Sequence, residues 1–295
     1  MKILIIGTDG FLGSHIKENL SASHDVYSAS HTNVGEEIYP IDLLDKGTIN
    51  HVVREVRPEV IINCAGIVEN NENANLNPIF AENFLNVLSK SELSFRRIIT
   101  LGSAAVYGIV DSKNVPVNED CAFNTDSIYG LSKVKESAIV TRYRDKDNLP
   151  IVEARIFNPI GTGMNPRLLV PRILNQINEI RRGEKDVIEI NRLDARRDYI
   201  NVNDVGLAIK SIIEGSPHSF VYNVGSGVST SNQELLELIL NNSGLKDRPK
   251  VIELSSSKEP QVASRADITR IIDELGWRPL TTIKDTIREV MNERK

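Results

Sequence analysis

The sequence has little cysteine and no excess of basic charge. Only two of its 295 residues are cysteines, Cys64 and Cys121, and they match neither a metal-binding spacing nor a disulfide framework. This usage suits a reducing compartment such as the cytoplasm. The formal net charge is −5, whereas a nucleic-acid partner would usually require a basic face. We therefore expect no metal site and no nucleic-acid partner.

Long hydrophobic runs are absent as well. No apolar stretch reaches the roughly 18 residues of a membrane span, and we expect no signal peptide before the first apolar segment. The composition is that of an ordinary globular protein, with 40% hydrophobic and 25% charged residues. We expect a cytoplasmic protein without a membrane partner, long enough for one large domain or two modest ones.

The chain is organised around its N-terminal glycines. Ile3 to Ile6 form a continuous apolar run, which is typical of a strand buried in a parallel sheet. Gly7, Gly10 and Gly13 then lead into a helix whose body is predicted to begin near Ser14. Glycine spacing alone also fits an ordinary strand-to-helix turn. Here the glycines lie between a predicted strand and a predicted helix, and that context predicts a dinucleotide site. Glycine lets the backbone turn tightly and come close to a pyrophosphate, to which the helix N-terminus offers free N–H groups.

The end of the second predicted strand, Asp25 to Ser30, bears on the cofactor. An NAD site carries Asp or Glu about 20 residues beyond the glycines, at the end of this strand. The residues here are Ser30 and His31, so no carboxylate repels a 2′-phosphate and we favour NADP over NAD. The next arginine is Arg54, so the usual phosphate clamp is missing, and His31 could equally be a solvated loop residue.

Strands alternate with helical patterns over the first half of the chain, as in βαβ units of a parallel sheet. Further strands are predicted at Ile38–Ile41, Val60–Asn63 and Arg97–Leu101. In such sheets ligands bind beyond the carboxyl ends of the strands. Gly7, Asp42, Cys64 and Ser103 all fall there, and the small residues after Cys64, Ala65 and Gly66, let a cofactor approach. We expect a Rossmann-type doubly wound sheet.

Tyr129 and Lys133 carry the predicted chemistry. Side chains at i and i+4 share one helix face, although the same spacing would also fit a half-exposed pair. A tyrosine phenol has a pKa of about 10, and a neighbouring ammonium favours the phenolate and lowers that value. Ser103 can hold the substrate oxygen while Tyr129 exchanges a proton with it and a nicotinamide carries the hydride. The reacting group is then a ketone or a secondary alcohol.

Several motifs in order resemble the extended short-chain dehydrogenase/reductase family, the NAD-dependent epimerase/dehydratase group that acts on nucleotide sugars. The motifs are Gly7-x-x-Gly-x-x-Gly13, Arg57-Pro-Glu-Val60, Ser103-Ala-Ala-Val-Tyr-Gly108, Tyr129-x-x-x-Lys133, Arg155-Ile-Phe-Asn158, Arg197-Asp-Tyr-Ile-Asn-Val-Asn-Asp204, Tyr222-Asn-Val-Gly-Ser-Gly227 and Leu275-Gly-Trp-Arg-Pro279. The resemblance covers nearly the whole chain. It specifies the family much more sharply than the reaction.

The resemblance implies a role for residues at several matching positions. Phe11 and Leu12 would close on the pyrophosphate, Asp42 would accept from the adenine amino group, and Leu43 would pack on the ring. The adenosine would be bordered by Cys64, Ala65 and Gly66, and the cofactor-binding set also includes Asn83 and Leu101. Lys133 would hold the nicotinamide ribose, with Phe157 near the nicotinamide. Asn158 and Arg197 would bind the phosphates of the sugar nucleotide.

Departures from the family pattern narrow the reaction. Dehydratases of this family carry Asp-Glu after the catalytic Ser or Thr, whereas this chain has Ala104 and Ala105. UDP-galactose 4-epimerase differs at Ser30-His31 and at Leu168, and its C-terminal substrate arginine could be replaced here only by Lys258 or Arg265. The compact length is similar to that of 4-keto-6-deoxy sugar-nucleotide reductases. We expect a 4-ketoreductase, with a 4-epimerase or a non-catalytic cofactor-sensing protein as alternatives.

The pattern changes at about Pro159. We expect a cofactor-binding domain over residues 1–158, to which residues 199–225 return, and a smaller α/β substrate-binding domain formed mainly by residues 159–295. Helices are predicted at Leu168–Arg182, Asn232–Leu240 and Asp267–Leu275, and Trp277 is expected in the core. Family members often dimerise through helices such as those that hold Phe84 and Tyr129, so a homodimer is expected by analogy.

Overall fold

The computed structural model describes residues 1–32, 35, 37–108, 110, 114–254 and 264–292. The strands of the first half are β1 (Lys2–Ile6), β2 (Asp25–Ser30), β3 (Ile38–Pro40), β4 (Val60–Asn63), β5 (Arg97–Ser103) and β6 (Ile151–Ile156). The helices between them are α1 (Phe11–Ser21), α2 (Lys46–Val56), α3 (Asn77–Ser89) and α4 (Ile128–Asp147). Short 3-10 helices span Glu72–Leu76 and Ala104–Tyr107.

The second half begins with β7 (Pro159–Ile160) and α5 (Leu169–Arg181). Its remaining strands are β8 (Val187–Ile190), β9 (Arg196–Asp198), β10 (Ile200–Asn201), β11 (Val221–Val224), β12 (Ser229–Ser231) and β13 (Lys250–Glu253). Its remaining helices are α6 (Val202–Glu214), α7 (Asn232–Asn242), α8 (Thr269–Leu275) and α9 (Ile283–Asn292).

Seven of the described strands form one sheet in the order β11-β6-β5-β4-β1-β2-β3. Every neighbouring pair in it is parallel. The order reverses at β1, where consecutive crossovers change from one side of β1 to the other, as in a doubly wound dinucleotide-binding fold. The predicted Rossmann-type fold is confirmed.

The sheet separates two hydrophobic cores because successive strand side chains point to opposite faces. Ile3 and Ile5 of β1 face a core that contains α1, α6 and α8, in which Trp277 also packs. Leu4 and Ile6 face a core built with α2, α3 and α4. Burial on both faces explains why the β1 segment reads as an unbroken apolar run. The glycine turn after β1 is thereby fixed in place.

A third core joins α5, α7, α9 and β8. Around it lie three two-stranded pairs, β10 with β7, β12 with β9 and β13 with β8. The segment from Tyr199 to Val202 therefore pairs with β7 rather than with the main sheet, whereas β11 does join that sheet beside β6. Phe11, the first residue of α1, is partly buried and packs against this third core.

Element boundaries differ modestly from the predictions. Helix α1 begins at Phe11 rather than near Ser14, because Gly10 already has the extended conformation of an N-cap. Helix α8 begins at Thr269, two residues after the predicted start. No helix within the described ranges is long and apolar enough to cross a bilayer.

Candidate active site

The glycine turn after β1 leaves almost no space for side chains. Gly7 has a φ of +81°, and a Cβ at Gly13 would lie 2.0 Å from the carbonyl oxygen of Gly7. A Cβ at Gly10, in contrast, would meet only that same oxygen, at 3.3 Å. The outer side of Gly10 is therefore open, and the first turn of α1, with Phe11 and Leu12, follows directly. This is the cradle that a pyrophosphate requires.

A carboxylate of the same turn reaches the end of β2. The Asp9 carboxylate accepts hydrogen bonds from the Thr32 hydroxyl and from Ser30. Burial raises the pKa of Asp9, but these hydrogen bonds and the nearby His31 outweigh burial and hold it below the ordinary carboxyl value. Ser30 is fully buried, whereas the side chain of His31 is 70% exposed and its Nε2 lies 3.8 Å from Asp42 Oδ2.

The loop after β3 borders a cavity of about 410 Å³ that is lined in part by His31, Asp42 and Thr48. Asp42 also caps its own loop, because its Oδ1 accepts from the Leu44 amide at 2.8 Å. Asn83 of α3 donates to the Leu43 carbonyl at 3.0 Å. The Leu43 side chain is buried in the second core. Asn83 thus fixes the loop that carries Asp42.

The loop after β4 runs past the glycine turn. The Ala65 amide lies 2.9 Å from where a Cβ at Gly7 would be, so the two loops touch. A Cβ at Gly66 would lie 3.9 Å from Nζ of Lys133. Cys64 packs against the first core, and its burial raises the pKa of the thiol, so the sulfur stays protonated.

Two contacts bring α4 against the end of β5. Lys133 Nζ donates to the Leu101 carbonyl at 3.0 Å. Gly130 packs so closely that a Cβ there would lie 2.8 Å from the carbonyl oxygen of Ala105. Ser103, the last residue of β5, thereby lies on the element that α4 contacts, and its Oγ accepts from the Ala105 amide at 3.2 Å. Ser103, Tyr129 and Lys133 are thus carried by adjoining elements.

The N-terminus of α4 is held by two side chains. Ser127 is the N-cap residue, and its hydroxyl accepts from the Gly130 amide at 3.0 Å. Asn70 accepts from the backbone amide of Tyr129, also at 3.0 Å. Because the second bond is to Tyr129 itself, the loop after β4 helps to place the phenol. Sequence spacing gave no indication of this role for Asn70.

Lys133 is buried beside a carboxylate. Its Nζ lies 2.7 Å from Glu136 Oε2, and the two side chains are only 8% and 9% exposed. Burial lowers the pKa of Lys133, but the charge and the hydrogen bond of Glu136 oppose burial, and the pKa stands above the ordinary lysine value. The ammonium therefore stays charged. Two of its three N–H groups are directed to described partners, Leu101 and Glu136.

A second buried ion pair lies next to the first. Ser137 donates to Glu153 Oε2 at 2.8 Å, and Arg155 Nε lies 3.4 Å from the other oxygen of that carboxylate. A Cβ at Gly102 would lie 2.5 Å from Glu153 Oε1, so a glycine is required where this carboxylate crosses β5. Two basic and two acidic side chains therefore lie together near the end of β5 with opposite charges: Lys133, Arg155, Glu136 and Glu153.

Tyr107 connects two of the sequence motifs. Its hydroxyl donates to Asn223 Oδ1 at 2.7 Å and accepts from Arg155 Nη1 at 2.9 Å. Its burial, opposed by the nearby Arg155, raises the pKa of the phenol to about 12, so Tyr107 remains neutral. The ring stacks with Phe157 at a centroid distance of 6.1 Å, and Phe157 is fully buried. This motif tyrosine therefore packs and bonds within the fold.

The two predicted substrate residues, Asn158 and Arg197, are far apart in the sequence but lie on contacting segments of the fold. Asn158 Nδ2 donates to the Asp198 carbonyl at 2.8 Å. Arg197 lies on β9 and is half-buried. No hydrogen bond or ion pair joins its guanidinium to another residue within the described part of the chain, whereas Arg196 Nη2 binds the Ser229 carbonyl and Glu234. Lys258 lies outside the described residues.

The family model of the NAD dependent epimerase/dehydratase family matches residues 3–225 of this chain. GDP-6-deoxy-D-mannose reductase of Pseudomonas aeruginosa is 25% identical over 99% of this chain and 96% of its own length. RMD of Pseudomonas aeruginosa, solved with NADPH, superposes with a TM-score of 0.86 at 24% identity, covering 99% of this chain and 98% of that chain. UDP-glucose 4-epimerase of Thermus thermophilus, solved with NAD, has a TM-score of 0.84 at 22% identity, covering 99% and 98%.

The chain belongs to the NAD dependent epimerase/dehydratase family. It is an NAD(P)-dependent enzyme of the extended short-chain dehydrogenase/reductase group, and its relatives are nucleotide-sugar reductases and epimerases. Both the predicted family and the predicted enzyme class are confirmed.

The site of this epimerase/dehydratase-family enzyme fits a nicotinamide dinucleotide. The bare outer side of Gly10 and the first turn of α1 can meet the pyrophosphate, and the cavity beside Asp42 can take the adenine side. When bound, the nicotinamide supplies or accepts a hydride. Sequence reasoning missed two residues that adjoin this site, Asp9 and Glu136. The i,i+3 spacing of Lys133 and Glu136 on one helix was a signal for the second, whereas the contact of Asp9 with Thr32 joins separate segments.

Proposed function

We propose that the chain reduces the 4-keto group of a nucleotide-diphosphate 4-keto-6-deoxy sugar, with Tyr129 as the proton donor. The observation that carries the proposal is the end of β5. Ser103 is followed there by Ala104 and Ala105, which have no acid–base group for eliminating water. The name of the reductase relative, GDP-6-deoxy-D-mannose reductase, agrees with this choice.

The proposal assigns chemical roles to three side chains. Ser103 Oγ hydrogen-bonds the substrate oxygen and keeps it near the phenol. Tyr129 Oη gives its proton to that oxygen as the carbonyl becomes an alcohol. Lys133 stays charged beside Glu136 and Leu101, and its remaining N–H is available to a ligand hydroxyl. Together these groups stabilise negative charge on the oxygen as it develops.

The substrate diphosphate is assigned to Arg197. Its guanidinium is half-buried and free of described ion pairs, and a planar guanidinium meets phosphate oxygens with two parallel hydrogen bonds. Asn158, which binds the backbone of the residue after Arg197, positions that strand.

The test begins with the freshly purified protein, which is denatured so that any released nucleotide can be identified. A protein that carries no nucleotide, binds a reduced dinucleotide and reduces a 4-keto-6-deoxy sugar nucleotide supports the proposal. Tyr129→Phe should then lower kcat by about 10²-fold or more. Tyr27→Phe is the matched control, since it removes a phenol on β2 that contacts Asp25. Unchanged turnover in Tyr129→Phe would reject the assigned proton donor.

A 4-epimerase is the second candidate, because several relatives carry that name and the same three residues could serve it. Stoichiometric NAD released on denaturation would favour it, since an epimerase must retain the hydride between its two half-reactions. A protein that binds no dinucleotide at all would instead indicate a non-catalytic member of the fold.

We also propose a homodimer formed through α3 and α4. Ile79 of α3 and two residues of α4, Ile128 and Leu131, are each at least 39% exposed to solvent. Such residues suit an apolar interface between copies. Light scattering on a size-exclusion column tests it, with Leu131→Glu expected to give the mass of a monomer.

A further inference from the structure

The glycine turn and the end of β2 meet at one carboxylate. Asp9 lies between Gly7 and Gly10 and is exposed to solvent, and its carboxylate reaches the end of β2. The Thr32 hydroxyl and Ser30 both donate to it. Ser30 in turn accepts from the Thr32 amide at 3.2 Å. Asp9 is therefore held in one position over the last residue of β2.

This position has a defined meaning in a dinucleotide-binding fold. The end of the second strand is where the adenosine ribose lies, and an acidic residue there hydrogen-bonds the 2′-hydroxyl of NAD. The strand of this chain ends in Ser30, which is fully buried and carries no carboxylate. From the strand alone the missing acid favours NADP. The Asp9 carboxylate, delivered from the glycine turn, supplies that acid from a different segment.

We infer that Asp9 determines cofactor choice, accepting a hydrogen bond from the ribose 2′-hydroxyl of NAD and repelling the 2′-phosphate of NADP. The inference deepens the proposed function and rests on it for the presence of a nicotinamide dinucleotide. It assigns to Asp9 the discrimination that related sites place at the end of the strand.

The surrounding charges point the same way. His31 acts electrostatically on Asp9, but its Nε2 also lies 3.8 Å from Asp42 Oδ2, so a carboxylate already faces it. The cavity beside it is lined by Asp42 and Asp45 together with the two histidines His31 and His51. Neither Lys nor Arg occurs among the described residues of that lining. A 2′-phosphate beside Asp9 would therefore meet carboxylates, and no Lys or Arg of the described lining would offset their charge.

The experiment compares the dissociation constants of NADH and NADPH by isothermal titration calorimetry on the full-length protein. The wild type should bind NADH about tenfold more tightly than NADPH, or better. In Asp9→Asn the ratio of the two constants should fall by about tenfold, mainly because NADPH binds more tightly. Asp25→Asn makes the same change at the opposite end of β2 and should leave the ratio unaltered.

A wild type that prefers NADPH, or an Asp9→Asn protein with an unaltered ratio, would overturn the inference while leaving the proposed function intact. A wild type that binds neither dinucleotide would refute the proposed function and this inference with it. If Asp9→Asn does not fold, the wild type still decides. Its preference for NADH must weaken from about 20 mM to about 500 mM salt, because the repulsion of a phosphate by exposed carboxylates is screened.

Discussion

Glu136 Oε2 lies 2.7 Å from Lys133 Nζ, and both side chains are almost completely buried. The lysine of the active site is therefore one half of an internal ion pair. Taking one partner away from such a pair leaves an isolated charge in a poorly solvated place, which is far more costly than losing an exposed pair. Glu136 acts through Lys133, so it is a positioning residue for the proposed chemistry.

Glu136→Gln should lower the free energy of unfolding at neutral pH by about 3 kcal/mol. In the wild type the pKa of Lys133 is raised, so its stabilising contribution is complete at neutral pH and is lost as the pH rises through that value. In the variant the buried ammonium lacks its partner. Losing its proton at high pH removes the cost of burying an unpaired charge. The difference between the two proteins should therefore shrink above about pH 10.

Urea denaturation at neutral and at alkaline pH measures this difference. Glu136→Asp, which keeps the charge, should recover part of the lost stability. Glu82→Gln removes an acid from the exposed ion pair with Arg142 and should change stability by less than about 1 kcal/mol. A Gln variant whose deficit is the same at both pH values would contradict the ion-pair account.

Gly102→Ala should destabilise the protein by about 1 to 3 kcal/mol. The new methyl group would lie 2.5 Å from Glu153 Oε1, and this carboxylate is held in place by Ser137 and Arg155. Aspartate at position 153 is shorter and leaves room for the new methyl group. The double variant Gly102→Ala/Glu153→Asp should therefore lose less stability than the sum of the two single variants. Thermal denaturation of the four proteins gives the coupling, and strict additivity would show that the two residues do not meet.

Alanine at two glycines of the first turn should have very different effects. A Cβ at Gly13 would lie 2.0 Å from the Gly7 carbonyl oxygen, which belongs to the backbone and cannot rotate away. At Gly10 the same oxygen would be 3.3 Å distant and nothing else is near. We expect Gly13→Ala to prevent folding or cost several times more stability than Gly10→Ala, as read from circular dichroism melting. Equal losses would mean that the turn relaxes freely.

Glu274 gives a prediction in the acid range. Its partial burial is outweighed by hydrogen bonds from Ser219, Tyr222 and the His218 amide, which lower the pKa of Glu274 to about 2. A depressed carboxyl pKa stabilises the fold above its unfolded value and loses that effect as the pH falls through the folded value. Glu274→Gln should cost about 1 to 2 kcal/mol at neutral pH.

The deficit of Glu274→Gln should disappear between about pH 5 and pH 2, since the wild-type carboxyl becomes protonated there. Chemical denaturation across that range tests the sign. Asp273→Asn is the neighbouring control, because Asp273 is exposed. A deficit that grows toward low pH would refute the hydrogen-bond explanation.

The sequence was sufficient for the sheet and the family, but only partly for the site. The run Ile3–Ile6 and the glycines encode a local structure, and ordered motifs specify a family. The contacts of Asp9 with Thr32 and of Tyr107 with Asn223 join segments 23 and 116 residues apart. No periodicity within one segment carries such information. For the same reason the motif that begins at Arg197 predicts a role for its arginine but none for Asp198. The Asp198 carboxylate in fact accepts hydrogen bonds from the Ser226 and Gly227 amides.

The late position of β11 in the sequence has a consequence for folding of the chain during its synthesis. The cofactor-binding sheet is completed by a strand that begins at Val221, beside β6, while the Arg97 side chain reaches the Ile212 carbonyl at the end of α6. A ribosome that has released only the first 160 residues therefore holds a sheet that ends at β6, and the apolar face that α6 and α8 later cover is exposed. Nascent chains should gain protease resistance in one late step, once β11 has emerged, and a fragment cut at residue 158 should aggregate.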